Sequence, residues 1–165
     1  AAMIQPEAVR FADDGDIPNS ALPLLVYRGA LAERSGGKVQ ALFQANGWGD
    51  GWVNGVFAHH HYHSTAHEVL GVIAGWAEVR FGGPGGQTLC VAAGDVVVVP
   101  AGVAHCNVGQ GDGFACVGAY PAGTRPDTCR QGETGDVRRN VAAVPVPAQD
   151  PVYGADGPLR AIWSA

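Results

Sequence analysis

The sequence predicts an all-β domain, a sandwich or a barrel of short strands. Glycine accounts for 25 of the 165 residues, about twice the usual share of roughly 7%. These glycines separate short apolar runs and do not form a G-X-Y repeat. Turn signals recur at roughly 8–12-residue intervals through the middle of the chain, a spacing typical of sandwiches and barrels and not of βαβ units.

The strands are expected mainly in the middle of the chain. The four valines at residues 96–99 have high β-propensity and are bounded by turn signals. A glycine-rich stretch at residues 82–86 predicts a tight turn. In order, the predicted strands are residues 71–81, as two strands around a turn at Ala74 and Gly75, then residues 88–91, 96–99, 104–108 and 114–120.

One helix is predicted before these strands. Residues 31–46 place Val39, Leu42 and Phe43 on one face at helical spacing. Upstream, residues 24–27 fit a short strand or arm.

The whole chain is expected to form one domain with three parts. Residues 1–50 form an N-terminal arm and helix, residues 51–122 the β-barrel core, and residues 123–165 a C-terminal extension. Six of the eleven prolines lie from residue 121 onward. This favours an extended segment laid over the barrel or over a neighbouring subunit.

Composition argues against several classes of function. Charged residues are only 15% of the chain and the net charge is −5, which is unlike a protein that binds the nucleic-acid backbone. The longest uncharged apolar stretch, residues 96–104, is far shorter than the roughly 20 residues that span a bilayer. No nucleic-acid partner and no membrane segment are therefore expected.

The location and assembly are predicted from weaker signals. No signal-peptide pattern is visible, and none of the four cysteines belongs to a C-x-x-C pair. Both observations favour free thiols and a cytoplasmic location. A sparingly charged surface with long flanking segments favours a homodimer.

The histidines are the strongest functional signal. Residues i and i+2 of a strand point to the same side, so His61 and His63 can direct two imidazoles at one point. A turn after Ser64 could return the carboxylate of Glu68 to that point, and His105 can complete the set if the sheet closes. Without a metal, a buried unpaired carboxylate would cost several kcal/mol.

Two stretches of the chain resemble the sequence motifs of the cupin family. Every interval of the first motif, G-x5-H-x-H-x4-E-x6-G, is matched by Gly55, His61, His63, Glu68 and Gly75. The second motif, G-x5-P-x-G-x2-H-x3-N, is matched by Gly94, Pro100, Gly102 and His105. Its final asparagine is missing, because Gly109 occupies that position and the nearest asparagine is Asn107.

The resemblance extends over residues 51–120 and implies a particular fold and site. The implied fold is a double-stranded β-helix, a small jelly-roll barrel with a divalent metal inside. The implied metal ligands are His61, His63, Glu68 and His105. Such ligands suit Fe, Mn, Ni, Cu, Co and Zn alike, so the metal is not identified.

Other residues near the motifs could also contribute to the site. His59 shares the strand parity of His61 and could line the cavity mouth, whereas His60 and His67 have the opposite parity and should face outward. Asn107 and Tyr120 could point into the cavity. Cys106 should point away from the metal, and Asp127 and Asp136 are expected to be solvated loop residues.

The resemblance leaves the activity open, because cupins include dioxygenases, isomerases, epimerases and non-catalytic binding proteins. We expect a metal-dependent, dioxygenase-like enzyme that acts on a small organic substrate in the barrel cavity. The alternatives are a metal-dependent isomerase or epimerase, and a non-catalytic protein that binds a metal or a small molecule. Glu68 is the candidate catalytic side chain, since it could detach from the metal or hold a proton. Arg80 is the one barrel cation that could face a mainly apolar cavity, and it could equally point outward into solvent.

Overall fold

Strands account for most of the regular structure in residues 2–164, the part of the chain that the computed structural model describes. They form one antiparallel sheet that curls into a jelly-roll barrel, as predicted. The elements are β1 (Glu7–Phe11), β2 (Ser20–Tyr27), α1 (Gly36–Ala45), β3 (Trp48–Asn54), β4 (His61–Tyr62), β5 (Glu68–Phe81), β6 (Gln87–Ala92), β7 (Val96–Val99), β8 (His105–Pro121), β9 (Cys129–Arg130), α2 (Val137–Ala143) and α3 (Leu159–Trp163). Within this part of the chain, all four cysteines are free and no helix is long and apolar enough to cross a membrane.

Two long strands organise the sheet. β5 and β8 pair with each other along most of their lengths. The first part of β5 also pairs with β7 and its second part with β6, whereas β8 also pairs with β3 and β4. The strand order is β1-β2-β7-β5-β8-β4-β9, with β3 added on β8 and β6 added on β5.

The prediction of two strands within residues 71–81 is wrong, because β5 runs through this region unbroken. Its register against β8 shifts between Val72 and Trp76. Gly75 lies in this bulge at a φ of +64°, and a Cβ there would come within 2.4 Å of the Gly111 carbonyl oxygen. A bulge bends a strand while the flanking pairs persist, so this glycine marks a bend and not a turn.

Strand β8 departs from the prediction in the same way. Residues 104–108 and 114–120 were expected to be separate strands, but most of both stretches belongs to β8. Asp112 and Gly113, between the two stretches, have left-handed φ values of 55° and 69°. These two residues let the strand bend without ending.

Strand β7 is buried on both of its faces. Val96 and Val98 belong to a core cluster that includes residues of α1 and of the C-terminal extension. Val97 and Val99 belong to a second cluster with Leu70. Since alternate residues of a strand face opposite sides, the continuous valine run reflects two buried faces.

Helix α1 confirms the predicted helix, although it begins later than expected. The side chain of Ser35 caps its first turn by accepting a backbone hydrogen bond. Val39 and Phe43 are buried in the core cluster beside β5. Gly71 of that strand leaves room for the helix, because a Cβ there would lie 2.8 Å from Phe43 Cζ.

The C-terminal extension packs on the barrel, and it is not purely extended. It contributes β9, α2 and α3, and β9 pairs with β4. Near its end, the indole N–H of Trp163 donates to the Pro23 carbonyl oxygen at 2.9 Å. Prolines predict interruptions of regular structure, but they do not exclude one- or two-turn helices between them.

Asp150 anchors this extension to strand β2. Its side chain is fully buried. The carboxylate accepts hydrogen bonds from the hydroxyl of Tyr27 at 2.6 Å and from the N–H groups of Val152, Tyr153 and Leu159 at 2.8, 3.0 and 3.3 Å. A buried carboxylate is stable only where such donors replace water.

Replacing Asp150 with alanine is expected to lower the free energy of unfolding by about 3 kcal/mol or more, because four donors lose their acceptor. Urea denaturation followed by circular dichroism measures the change. Asp156→Ala, at an exposed position of the same extension, is the matched control and should change the value by less than about 0.5 kcal/mol. Similar stabilities of the two variants would contradict the anchoring role.

Candidate metal centre

Three strands bring the predicted ligands together. His61 on β4 pairs directly with His105, the first residue of β8, while Glu68 is the first residue of β5 and His63 follows β4. All four residues are buried. Each of the three histidines offers one ring nitrogen as a possible metal ligand, and these three nitrogens lie within 4.8 Å of one another. These three histidines could therefore hold a metal ion.

Each of the three imidazoles turns its Nδ1 atom toward a backbone carbonyl oxygen. The carbonyls are those of His59 at 3.4 Å from His61, Asp127 at 2.5 Å from His63 and Val103 at 3.4 Å from His105. A carbonyl oxygen only accepts hydrogen bonds, so these contacts favour the tautomer with the proton on Nδ1. The lone pairs on the Nε2 atoms are then available to a metal.

The carboxylate of Glu68 lies against the same nitrogens. Its Oε1 is 3.0 Å from Nε2 of His105 and 3.4 Å from Nε2 of His63. Nitrogen lone pairs that face a carboxylate oxygen repel it unless a positive charge lies between them. A divalent cation supplies that charge, and imidazole and carboxylate are ligands that such ions accept. The donor set therefore fits a divalent metal.

The protonation states lead to the same requirement. Burial and the neighbouring His105 and His63 lower the pKa of His61 to about 2, so this imidazole is neutral. Burial opposes ionisation of Glu68, but His105 and His63 beside its carboxylate hold its pKa below the usual range. Burial also opposes charge on His63, whereas Glu68 raises the pKa of that imidazole. The buried anion of Glu68 thus draws positive charge to its side of the centre, either as a proton on His63 or as a metal ion.

These side chains border a cavity of about 240 Å³. Its remaining walls are mainly apolar and aromatic, and no lysine or arginine is among them. They are formed by Trp52, Asn54, Gly55, Val56, Phe57, Leu70, Tyr120 and Thr128.

Tyr120 lines this cavity. The sequence allowed this position for it but did not require it. Its hydroxyl oxygen accepts a hydrogen bond from the Trp52 indole N–H at 2.9 Å, and burial together with the nearby Glu68 carboxylate raises the pKa of this phenol, so it keeps its proton as a donor. Trp52 lies against Gly118, its partner across β3 and β8, where a Cβ would come within 2.1 Å of the indole. Gly118 thus provides the space that positions the indole and, through it, the phenol.

The prediction that His67 faces outward is wrong. Its side chain is buried. Nδ1 accepts a hydrogen bond from the Ala101 N–H at 2.8 Å, and Nε2 lies 3.1 Å from the Pro145 carbonyl oxygen, to which it donates. Strand parity does not apply to this residue, because β5 begins only at Glu68. His67 is a core residue that joins the barrel to the C-terminal extension.

The other two histidines lie outside the donor cluster. His59 stacks on Phe57 at the cavity wall, with ring centroids 5.0 Å apart, close to the mouth position considered for it. His60 is partly exposed, although its Nδ1 atom is buried. Neither residue forms part of the cavity wall.

Two polar residues considered for the cavity point elsewhere. Asn107 donates from its side chain to Oε1 of Gln110 at 2.7 Å. Arg80 donates to the carbonyl oxygens of Pro84 and Gly86 at 2.9 and 3.1 Å. The tight turn after β5 therefore engages the guanidinium, which leaves the cavity without a cationic side chain.

Asp127 was expected to be solvated, and this prediction is wrong. Its carboxylate binds the backbone of Ser64 and Thr65, next to the candidate ligand His63. The partners are more than 60 residues apart in the chain, and no local pattern signals such a contact. Asp136, in contrast, has a side chain that is 77% exposed, as predicted.

The chain is similar in sequence to a known family and to a known protein. The family described as "Cupin" matches residues 54–125. The chain is also 38% identical over 156 residues to the protein described as "Uncharacterized protein YjlB" of Bacillus subtilis, a match that covers 93% of each chain. The chain belongs to the cupin superfamily.

Two solved structures that are similar to this cupin are distant from it in sequence. One is the acireductone dioxygenase from Bacillus anthracis with a cadmium ion in its active centre, which is 16% identical with a TM-score of 0.43 and covers 77% of this cupin and 99% of that chain. Another is the vicilin from Solanum melongena, which is 19% identical with a TM-score of 0.35 and covers 74% of this cupin and 34% of that chain.

The centre makes a direct prediction about metal content. His61→Ala and His105→Ala should each retain less than about a tenth of the metal bound by the unmodified chain, because each loses one of few ligands. His60→Ala, which changes a neighbouring histidine outside the donor cluster, should retain all of it. Inductively coupled plasma mass spectrometry of untagged protein measures the metal. Equal loss in the three variants would contradict the assignment.

Proposed function

We propose that this cupin is a metal-dependent enzyme of the dioxygenase type that acts on a small organic substrate in the barrel cavity. One observation supports it above all: three imidazoles and one buried carboxylate converge at the wall of a mainly apolar cavity. The four ligands would be His61, His63, Glu68 and His105. They leave positions open on a metal that prefers five or six ligands.

A divalent metal held there would supply Lewis acidity toward an oxygen atom of the substrate and, if redox-active, electrons for reaction with O2. The protein's own contribution is a shaped and partly apolar surrounding. Val56, Phe57 and Leu70 provide apolar wall on which the body of a substrate can pack. Water excluded by such a wall does not compete for the open positions.

The cavity limits the class of substrate. Its volume of about 240 Å³ is below the roughly 300–1,000 Å³ of sites for drug-sized ligands. No lysine or arginine in the wall offers a partner to a phosphate group. We therefore favour a small enol, diketone or thiol over a sugar phosphate or nucleotide.

Tyr120 is placed to orient the substrate. Because its oxygen already accepts from Trp52, its O–H proton is available to a substrate oxygen in the cavity. Glu68 provides an acceptor at the same wall. A proton donor and a proton acceptor beside one cavity also favour a second candidate function, isomerisation or epimerisation without O2.

The test separates these functions. Untagged chain is loaded in turn with Fe(II), Mn(II), Co(II), Ni(II), Cu(II) and Zn(II) and offered small enols, thiols and diketones. Metal-dependent O2 uptake with oxidised product supports the dioxygenase, and solvent deuterium incorporation under argon supports the isomerase. Binding of these compounds without turnover would contradict both and favour a non-catalytic binding protein. His105→Ala is the control for metal dependence.

Tyr120→Phe is expected to lower kcat/KM by about tenfold to a hundredfold, because one hydrogen bond to the substrate or transition state is lost. Its metal content should remain that of the unmodified chain, since the phenol is not a ligand. Steady-state kinetics with the substrate found in the screen measures the effect. Unchanged kcat/KM would remove Tyr120 from the site.

A further inference from the structure

We propose that Asp127 is a positioning residue of the metal centre, through which the C-terminal extension fixes the ring of His63. This inference rests on the metal site of the proposed function. Asp127 belongs to a segment without regular structure that precedes β9. Its side chain and its backbone carbonyl act on two adjacent parts of the His63 segment.

The carboxylate of Asp127 holds the backbone that follows His63. Oδ1 accepts hydrogen bonds from the N–H of Ser64 at 2.6 Å and from the N–H of Thr65 at 3.2 Å. Oδ2 accepts one from the hydroxyl of Ser64. Three donors on two consecutive residues thus bind one carboxylate.

Thr65 binds the Asp127 segment in return. Its Oγ1 accepts from the N–H of Asp127 at 3.0 Å and donates to the carbonyl oxygen of Arg125 at 2.6 Å. Asn140 of helix α2 adds a contact from its side-chain amide to the hydroxyl oxygen of Ser64 at 3.1 Å. Hydrogen bonds donated by each segment to the other therefore hold the two loops together.

The consequence for the metal centre comes from the carbonyl of Asp127. It accepts the Nδ1–H of His63 at 2.5 Å, the shortest of the three imidazole–carbonyl contacts. That bond fixes both the tautomer and the plane of the ring, so Nε2 is held toward Glu68 and the other imidazoles. Substituting a residue that hydrogen-bonds the non-ligating nitrogen of a metal-bound histidine typically weakens metal binding by about 10–100-fold.

A purely structural role for the same hydrogen bonds makes a different prediction. Loss of these hydrogen bonds would then lower the free energy of unfolding, while the orientation of the His63 ring and the metal affinity would not change. The positioning role requires changes at the imidazole itself. These changes can be measured on folded protein at fixed pH.

The experiment uses the metal-free chain and Co(II) as the probe. Asp127→Ala should weaken Co(II) binding by about 10–100-fold and alter the visible absorption bands, because one imidazole is no longer oriented. Asp127→Asn keeps an amide oxygen for the two N–H donors and should fall between. Asp136→Ala, which changes an exposed aspartate of the same extension, is the matched control and should bind as the unmodified chain does.

Nitrogen-15 NMR of the His63 ring gives a second readout that needs no metal. Recorded above the pKa of His63, where the ring is neutral, the unmodified chain should show the Nδ1–H tautomer, and Asp127→Ala should show a mixture of the two tautomers. A folded Asp127→Ala variant with Co(II) affinity within about twofold of the control and an unchanged tautomer would overturn the positioning role alone. Failure of the unmodified chain to bind Co(II) would overturn the metal site and this inference with it.

Discussion

The rest of the structure depends on one electrostatic constraint, which is the need for positive charge beside the buried carboxylate of Glu68. Its Oε1 faces nitrogens of His105 and His63 at 3.0 and 3.4 Å, and the donors of all three histidines lie within 4.8 Å of one another. Backbone carbonyls at each Nδ1 direct the lone pairs inward. Such a set is costly when empty of charge, because an unpaired buried anion loses its hydration without compensation. A divalent cation removes that cost and makes the apolar cavity beside it chemically useful.

Three of the four candidate ligands are the first residues of strands. β5 starts at Glu68 and β8 at His105, but antiparallel pairing puts these residues at opposite ends of the β5–β8 ladder, where Val69 pairs with Ala119 and Phe81 pairs with His105. The curl of the sheet brings the two side chains back together, with 3.0 Å between Glu68 Oε1 and His105 Nε2. β4 is only two residues long, and it carries His61 between β8 and β9. Since β9 and Asp127 both come from the C-terminal extension, that part of the chain supports the centre as well as the core. Asp150 and His67 tie the same extension to the barrel through buried hydrogen bonds.

The sequence predicted the parts of this arrangement that repeat at short range. Alternation along a strand placed His61 and His63 on one side, and the motif intervals added Glu68 and His105. The prediction was wrong where one local pattern is compatible with two structures. Gly75 indicated a turn, but in the structure it permits a bulge in an unbroken strand. The prediction failed also for His67 and Asp127, whose partners lie at positions 145 and 64. Contacts of that separation depend on how the extension folds back, which no pattern within either segment records.

The central claim is that a divalent metal belongs between these four side chains. The most direct measurement is anomalous diffraction, at the absorption edge of whichever metal is found, from crystals of untagged chain purified without added metal. The account predicts about one metal per chain and a single anomalous peak in contact with His61, His63, Glu68 and His105. Metal-free crystals whose centre stays empty after soaking in Fe(II), Co(II) and Zn(II), or a peak only at the partly exposed His59 and His60, would contradict it.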